Sequence, residues 1–180
     1  ALQLAKLGGG MPVIGIDMFD NRLETSQKCG ADLTFNPSQV SLEEAVRNAT
    51  DGKGADVVVE STGNPQAVST AIDLAGKYGR VILLGSTRGT TEVNFYSGVH
   101  RKGISVIGAH ESLRPLHESA HGQWTQKDDS ALALRLISKG LLKVRELVSE
   151  KISFRKADEA YKKLVESKHQ VIGVILDWNK

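Results

Sequence analysis

Cysteine is nearly absent. Cys29 is the only one in 180 residues, so the sequence can form no internal disulfide and no cysteine-based zinc cluster. It falls in an amphipathic helical pattern, where a lone cysteine serves as a small apolar filler. This usage fits a reducing cytoplasm. Aromatic residues make up 5%, too few for the stacking platforms that hold single-stranded nucleic acid. Charge of one sign is also lacking. The 23 basic and 21 acidic side chains leave a formal net charge of +2, mixed along the chain. Without a concentrated basic face, no nucleic-acid partner is expected. No apolar run is long enough to span a bilayer, so no membrane partner is expected either. No basic-then-apolar leader is visible at the start of the sequence. Asn48-Ala49-Thr50 matches a glycosylation sequon, but such triplets arise by chance.

What is present is ordinary for a folded soluble domain: 40% hydrophobic and 24% charged residues. The order of patterns is informative. The sequence opens in apolar, helix-like residues. Val13–Asp17 is then a short β-branched run and reads as a strand. Asp20 or Asn21 can cap the following helix, with Glu24 completing a capping box after Asn21. That helix runs to about Lys28, and Gly30 stops it. Asp32–Phe35 reads as a second strand, and Ser41 to Glu44 as a second capping box whose helix reaches about Asn48. Asp51 to Gly54 is a turn. Asp56–Glu60, DVVVE, reads as a strand buried on both faces. Asn64-Pro65 starts a helix, on which Val68, Ala71, Ile72 and Ala75 share one face. Gly76 and Gly79 end it. Arg80–Leu84 is a buried strand, residues 94–102 a short helix, and Ile104–Ala109 a further strand.

This alternation predicts an α/β fold, a Rossmann-like doubly wound parallel sheet with helices on both faces. After a polar loop over residues 111–127 the texture changes. Asp128–Lys139 reads as a helix, Lys151–Phe154 as a strand, and Arg155–Glu166 as a helix burying Ala157, Ala160, Tyr161 and Leu164. Val171–Leu176 reads as a closing strand. The expected division is a dinucleotide-binding domain over 1–127 and a second segment over 128–180.

In doubly wound folds the ligand lies beyond the carboxyl ends of the strands. Asp17 ends its strand there. A carboxylate in that place accepts hydrogen bonds from both hydroxyls of an adenosine ribose and repels a 2′-phosphate, which favours NAD over NADP. Arg22 lies five residues on, where its guanidinium can cover an adenine face. The competing reading is that Asp17 merely caps the next helix. A dinucleotide site also needs a glycine turn before a helix, about 20 residues ahead of the acid. Only 16 residues precede Asp17, and Gly8-Gly9-Gly10 follows a helix rather than a strand. The expectation is that the glycine turn and first strand lie ahead of Ala1. In the order 3-2-1-4-5-6 that strand is central. Three arrangements follow: upstream residues supply it, another chain supplies it, or the Val13–Asp17 strand pairs directly with Asp56–Glu60.

Five stretches, in order, resemble the medium-chain dehydrogenase/reductase superfamily, most closely its zinc-dependent alcohol and polyol dehydrogenases. They are ALQLAKLGGGMPVIGIDMFDNRLETSQKCGAD, GADVVVESTGNPQAV, GRVILLG, RKGISVIGAH and SEKISFRKADEAYKKLVESKHQVIGVILD. The resemblance implies a cofactor-binding role. Asp17 would hold the adenosine ribose, with Met18 and Arg22 flanking the adenine. Ser61, Thr62, Gly63 and Asn64 would line the adenosine side. Leu84, Gly85 and Ser86 would reach the nicotinamide carboxamide through backbone groups, and Gly108 and Ala109 would close the nicotinamide. Many members place a basic residue in the last strand, on the pyrophosphate. The matching position here is Gly173, which lacks a side chain for that contact; Lys168 and His169 are the nearby alternatives. The catalytic zinc of the family is held by an amino-terminal domain, and no ligand for it is assigned in this sequence. No catalytic residue is assigned either. The resemblance implies an NAD-dependent dehydrogenase as the parent protein, with this chain alone binding cofactor weakly and not turning over. It also implies a homodimer through the edge strand 104–109.

Four other readings compete. A zinc-independent quinone reductase would keep the fold. A methyltransferase-like Rossmann domain would need an antiparallel last strand and would bind S-adenosylmethionine. His117 to His121, HESAH, matches the H-E-x-x-H protease signature. It sits between Pro115 and Gly122, with room for under two helical turns, and its default reading is a solvated loop. A non-catalytic piece whose role is association is the remaining class.

Overall fold

The computed structural model describes residues 1–120, 122–167 and 169–179. His121 and Lys168 lie outside the described residues, so the full H-E-x-x-H match and one substitute for the basic contact fall there. The chain divides into two compact units, Ser41–Ser130 and the pair of segments Ala1–Val40 and Ala131–Lys180.

In the unit that contains the start of the sequence, α1 (Leu2–Leu7) leads to β1 (Ile14–Ile16), α2 (Asp20–Lys28) and β2 (Leu33–Phe35). β1 and β2 pair in parallel, Ile14 with Leu33 and Ile16 with Phe35. Gly30, at φ +97°, ends α2 as the sequence requires. The expected capping box does not form: the N-cap is Phe19, and no side chain caps the helix. Asp20 and Asn21 are already inside its first turn. Asp20 instead accepts a hydrogen bond from Asn36 at 2.8 Å.

Ser41–Ser130 carries α3 (Leu42–Ala49), β3 (Ala55–Glu60), α4 (Pro65–Leu74), β4 (Ala75–Leu83) and β5 (Ser105–Gly108). Ser41 is the N-cap of α3, but without a side-chain hydrogen bond. At α4 the expected start holds: Asn64 Oδ1 accepts from Gln66 N–H at 3.1 Å, and Pro65 opens the helix. Strands β3, β4 and β5 form one parallel sheet with Val58, Val81 and Val106 in register. β4 starts five residues earlier than expected, because Ala75 pairs with Ala55 before the ladder shifts to Val57 and Arg80. The shift brings backbones together at Gly76, where a Cβ would stand 2.4 Å from Lys53 O.

One face of this sheet is a core. Val81 is fully buried and clusters with Val68, Ala71, Ile72, Ala75 and Ile104, with Val58 and Leu83 packed on them. Each fully buried valine or isoleucine side chain contributes about 1.5–3 kcal/mol, and each alanine methyl less. The other face departs from the sequence expectation. Val57, Val59 and Ile107 stay 43%, 40% and 42% exposed, so DVVVE is buried on one face only. The alternating side-chain directions of a strand place Val58 and Glu60 toward the core and the two intervening valines away from it.

The remaining α-helices and strands are α5 (Gln126–Ser138), β6 (Val148–Ser153), α6 (Ala157–Glu166) and β7 (Gly173–Asp177), and the short helix expected over residues 94–102 is a π-helix at Phe95–His100. Thr125 caps α5 through a reciprocal pair with Asp128, a start that sequence reasoning missed. β6 and β7 form their own parallel pair. Of the residues expected on the buried face of α6, Ala160 is buried but Tyr161 is 66% exposed. The fold class is as expected, mixed α/β with parallel strands. The described strands form sheets of two, three and two, and the groups β1–β2 and β3–β4–β5 correspond to the 3-2 and 4-5-6 parts of the expected doubly wound order. β1 pairs with β2 and β3 with β4, so the expected alternative of direct β1–β3 pairing does not occur among the described residues. The antiparallel last strand of a methyltransferase-like domain is likewise absent from the described strand pairs. No described helix is long and apolar enough to cross a membrane.

Candidate cofactor site

Asp17 follows β1 directly, and its N–H donates to Phe35 O at 3.4 Å, extending the parallel ladder by one step. Its side chain turns toward the start of α2. Oδ1 accepts from Phe19 N–H at 3.0 Å, and Oδ2 lies 3.8 Å from Arg22 Nη1. The carboxylate thus ties the chain entering the helix with one oxygen, without being its N-cap. An ionised carboxylate has about four acceptor positions, so this leaves capacity for a ligand. Met18 is 64% exposed beside it. The loop is held from below by buried Asn36, whose Nδ2 donates to Met18 O at 3.2 Å and to Asp20 Oδ1 at 2.8 Å. Asn36 was not singled out from the sequence as a site residue, because its clamp depends on contacts with a distant segment.

Arg22 is engaged within its own unit. Its guanidinium carbon lies 5.5 Å from the Phe19 ring centroid, and Nη2 donates to Val171 O at 3.4 Å. The Phe19 ring in turn lies 5.9 Å from that of His169. The absence of a basic side chain at Gly173 has a local cause. A Cβ there would stand 2.9 Å from Leu147 O, so a side chain requires the backbone to shift.

In the Ser41–Ser130 unit, the loops after β3, β4 and β5 lie at one end of a parallel sheet. Thr62 and Gly63 turn back onto Glu60, and Asn64 Oδ1 is spent on capping α4. Ser61 is exposed. Leu84 and Gly85 both donate to Glu60 O at 2.9 Å. Gly63, at φ +72°, occupies a region that favours glycine. Leu84, Ser86, Gly108 and Ala109 line one cavity of about 850 Å³. Its far wall was not read from the sequence: His110, Arg114, Gln123, Trp124 and Asp129. Arg114 pairs with Asp129 at 3.5 Å, so this wall carries a neutralised cation. A Cβ on Gly108 would meet nothing within 4 Å, so the space over the end of β5 is open.

The zinc-binding dehydrogenase family model matches residues 1–121. The chain belongs to this family. Among its relatives is the erythritol/L-threitol dehydrogenase of Mycolicibacterium smegmatis, 37% identical over 106 residues, which span 59% of this chain and 29% of that protein. The L-threonine 3-dehydrogenase of Pyrococcus abyssi is 30% identical over 161 residues, covering 89% of this chain and 43% of that protein. The chain therefore spans less than half the length of these two relatives. The benzyl alcohol dehydrogenase of Acinetobacter calcoaceticus superposes with a TM-score of 0.81 over 98% of this chain and 46% of its own, at 22% identity. An Escherichia coli CFT073 protein described as a short chain alcohol dehydrogenase, solved with NADH, gives 0.79 over 98% of this chain and 48% of its own, at 24% identity. At these identities the superpositions speak to the fold.

Zinc, which the family name implies, finds no ligand set among the described residues. No three His, Cys, Asp or Glu side chains among the described residues group so as to hold a metal. His117 and Glu118 lie in non-helical chain, without the shared helical face that the protease signature requires.

Proposed function

We propose that this chain is the NAD-binding part of a zinc-dependent alcohol or polyol dehydrogenase, which moves hydride from a primary or secondary alcohol to NAD. The reading rests on Asp17, a half-buried carboxylate at the carboxyl end of a parallel strand that accepts one hydrogen bond among the described residues. NAD, when bound, supplies the hydride acceptor; the chain binds and orients it. Asp17 accepts from the ribose hydroxyls and disfavours a 2′-phosphate, with Met18 and Arg22 beside the adenine. In the Ser41–Ser130 unit, Ser61, Thr62, Gly63 and Asn64 serve the adenosine side. Leu84, Gly85 and Ser86 offer backbone groups to the carboxamide, and Gly108 and Ala109 close on the nicotinamide.

The reading carries further parts. Residues 1–127 form the cofactor domain, and 128–180 return toward the catalytic part. Zinc and the alcohol are held elsewhere in the whole protein, so this chain alone binds NAD weakly and does not turn over. A homodimer forms through residues 104–109; the support is that β5 is an edge with exposed Ser105–Gly108, and open edges recruit strands. The buried lone Cys29 supports a cytoplasmic setting.

A chemical-shift titration with NAD, carried to millimolar concentration, tests the reading. Saturable shifts are expected at Asp17, Met18, Gly85 and Ser86, with the dissociation constant raised about tenfold in Asp17→Ala, as for loss of a charge-assisted hydrogen bond. Shifts that do not saturate, or an unaffected Asp17→Ala variant, overturn it.

A further inference from the structure

DVVVE ends in an acid that the cofactor reading leaves unused. Glu60 is 4% exposed, and among the described residues its carboxylate meets N–H and O–H donors rather than a cation. Oε1 accepts from Thr62 N–H at 2.6 Å, from the Thr62 hydroxyl, and from Gly63 N–H at 3.2 Å. Oε2 stands 3.3 Å from Gly63 N. The same residue's carbonyl accepts from Leu84 and Gly85 N–H. One residue therefore ties the loop after β3 by its side chain and the loop after β4 by its backbone. The two loops also touch. A Cβ on Gly85 would stand 2.4 Å from Gly63 N and 2.9 Å from Glu60 Oε2.

An apolar residue would also fill this buried strand end. Burying a carboxylate instead carries a desolvation cost, offset only by well-placed donors. A carboxylate is acceptor-only, so every converging N–H finds a partner; an amide would turn donors of its own onto them. Charge-assisted bonds are also the stronger ones. The expense makes sense where loop geometry itself matters, since pre-ordered backbone reduces what a ligand must immobilise.

We propose that Glu60 is a positioning residue that locks the 61–63 loop to the 84–86 loop, and so presents both to the dinucleotide in fixed geometry. The lock stands on the contacts above; its service to NAD rests on the function proposed here. The test combines amide hydrogen exchange with the NAD titration, on wild type, Glu60→Gln and Glu60→Asp. In Glu60→Gln, exchange at Thr62 and Gly63 speeds up about tenfold or more, while Val81 and Ile82 in β4 keep their protection. The NAD dissociation constant rises several-fold, and Glu60→Asp, which keeps the charge, recovers part of both. Unchanged exchange at Thr62 and Gly63, or an equal acceleration at Val81 and Ile82, overturns the lock. Local loosening without saturable NAD shifts in wild type keeps the lock and overturns the cofactor reading alone. Should Glu60→Gln fail to fold, Thr62→Val removes one donor and leaves the carboxylate. Its faster exchange is expected to stay within residues 61–63, and spread into β4 overturns the lock.

Discussion

The two compact units hold their parallel strands by different means. Ser41–Ser130 has an apolar cluster: Val81 at its centre, α4 across it, and Ile104 and Val58 at its flanks. The other unit buries Val13, Leu23, Cys29, Ala160 and Val171 and leans on polar ties between distant segments. Asp32 accepts from Lys6 Nζ and from Val13 N–H, the latter at 2.7 Å. Gln3 exchanges two hydrogen bonds with Lys143, each 2.7 Å. Asn21 Nδ2 reaches His169 O. The difference follows from geometry. A three-stranded sheet offers a face broad enough for one helix to seal, whereas two short strands do not, and directional bonds between backbone and side chain make up the deficit.

Cutting into the apolar cluster is the harshest way to break the comparison. Val81→Ala removes two methyl groups from a fully buried position and is expected to cost about 2 kcal/mol or more. Chemical denaturation measures the loss, and amide exchange should accelerate through β3, β4 and α4. Trimming a tie in the same unit is milder. Asn64→Ala deletes the cap of α4 and is expected to cost about 1 kcal/mol, read as faster exchange in the first turn of that helix. If the two variants cost the same, burial is not what distinguishes this unit.

The smallest effect sharpens the other side. The Lys6 hydrogen bond, followed by that from Val13 N–H, holds the Asp32 carboxyl below the ordinary carboxylate range. A pKa depressed by folding adds stability above the unfolded value, near 3.9, that is lost as pH falls through the lower folded value. Both groups are exposed, so solvent screens the pair and the gain is small. The Val13 amide shift should follow this titration, with a midpoint below the ordinary range, and should lose it in Asp32→Asn. In the Ser41–Ser130 unit, the Ser119 and Thr125 hydroxyls depress Asp128 in the same direction, and the Thr125 amide is its reporter.

Some features set by neighbouring residues were legible in the sequence, although the capping boxes read at Asn21 and Ser41 do not form and the Thr125–Asp128 start was missed. Asn64-Pro65 starts α4 and Gly30 ends α2 because a cap and a left-handed turn are decided locally. Features set by distant partners were not. Nothing in the sequence near Ala75 announces its pairing with Ala55, and Tyr161 matches the helical period of Ala160 yet finds no neighbour to cover it. At the site, the strand-end positions of Asp17, Leu84, Gly85 and Gly108 followed from the alternation of strands and helices. The Asn36 clamp, the Glu60 lock and the Trp124 wall depend on tertiary contacts. Glu60 did leave a trace, an acid closing a run of valines, the pattern that drew notice to Asp17.

The most direct measurement is a crystal structure of this chain, or of a protein containing it, with NAD bound. The account predicts ribose hydroxyl oxygens within about 3 Å of the Asp17 carboxylate. A ribose bound elsewhere, with Asp17 still held by Phe19 N–H and Arg22 as here, contradicts it.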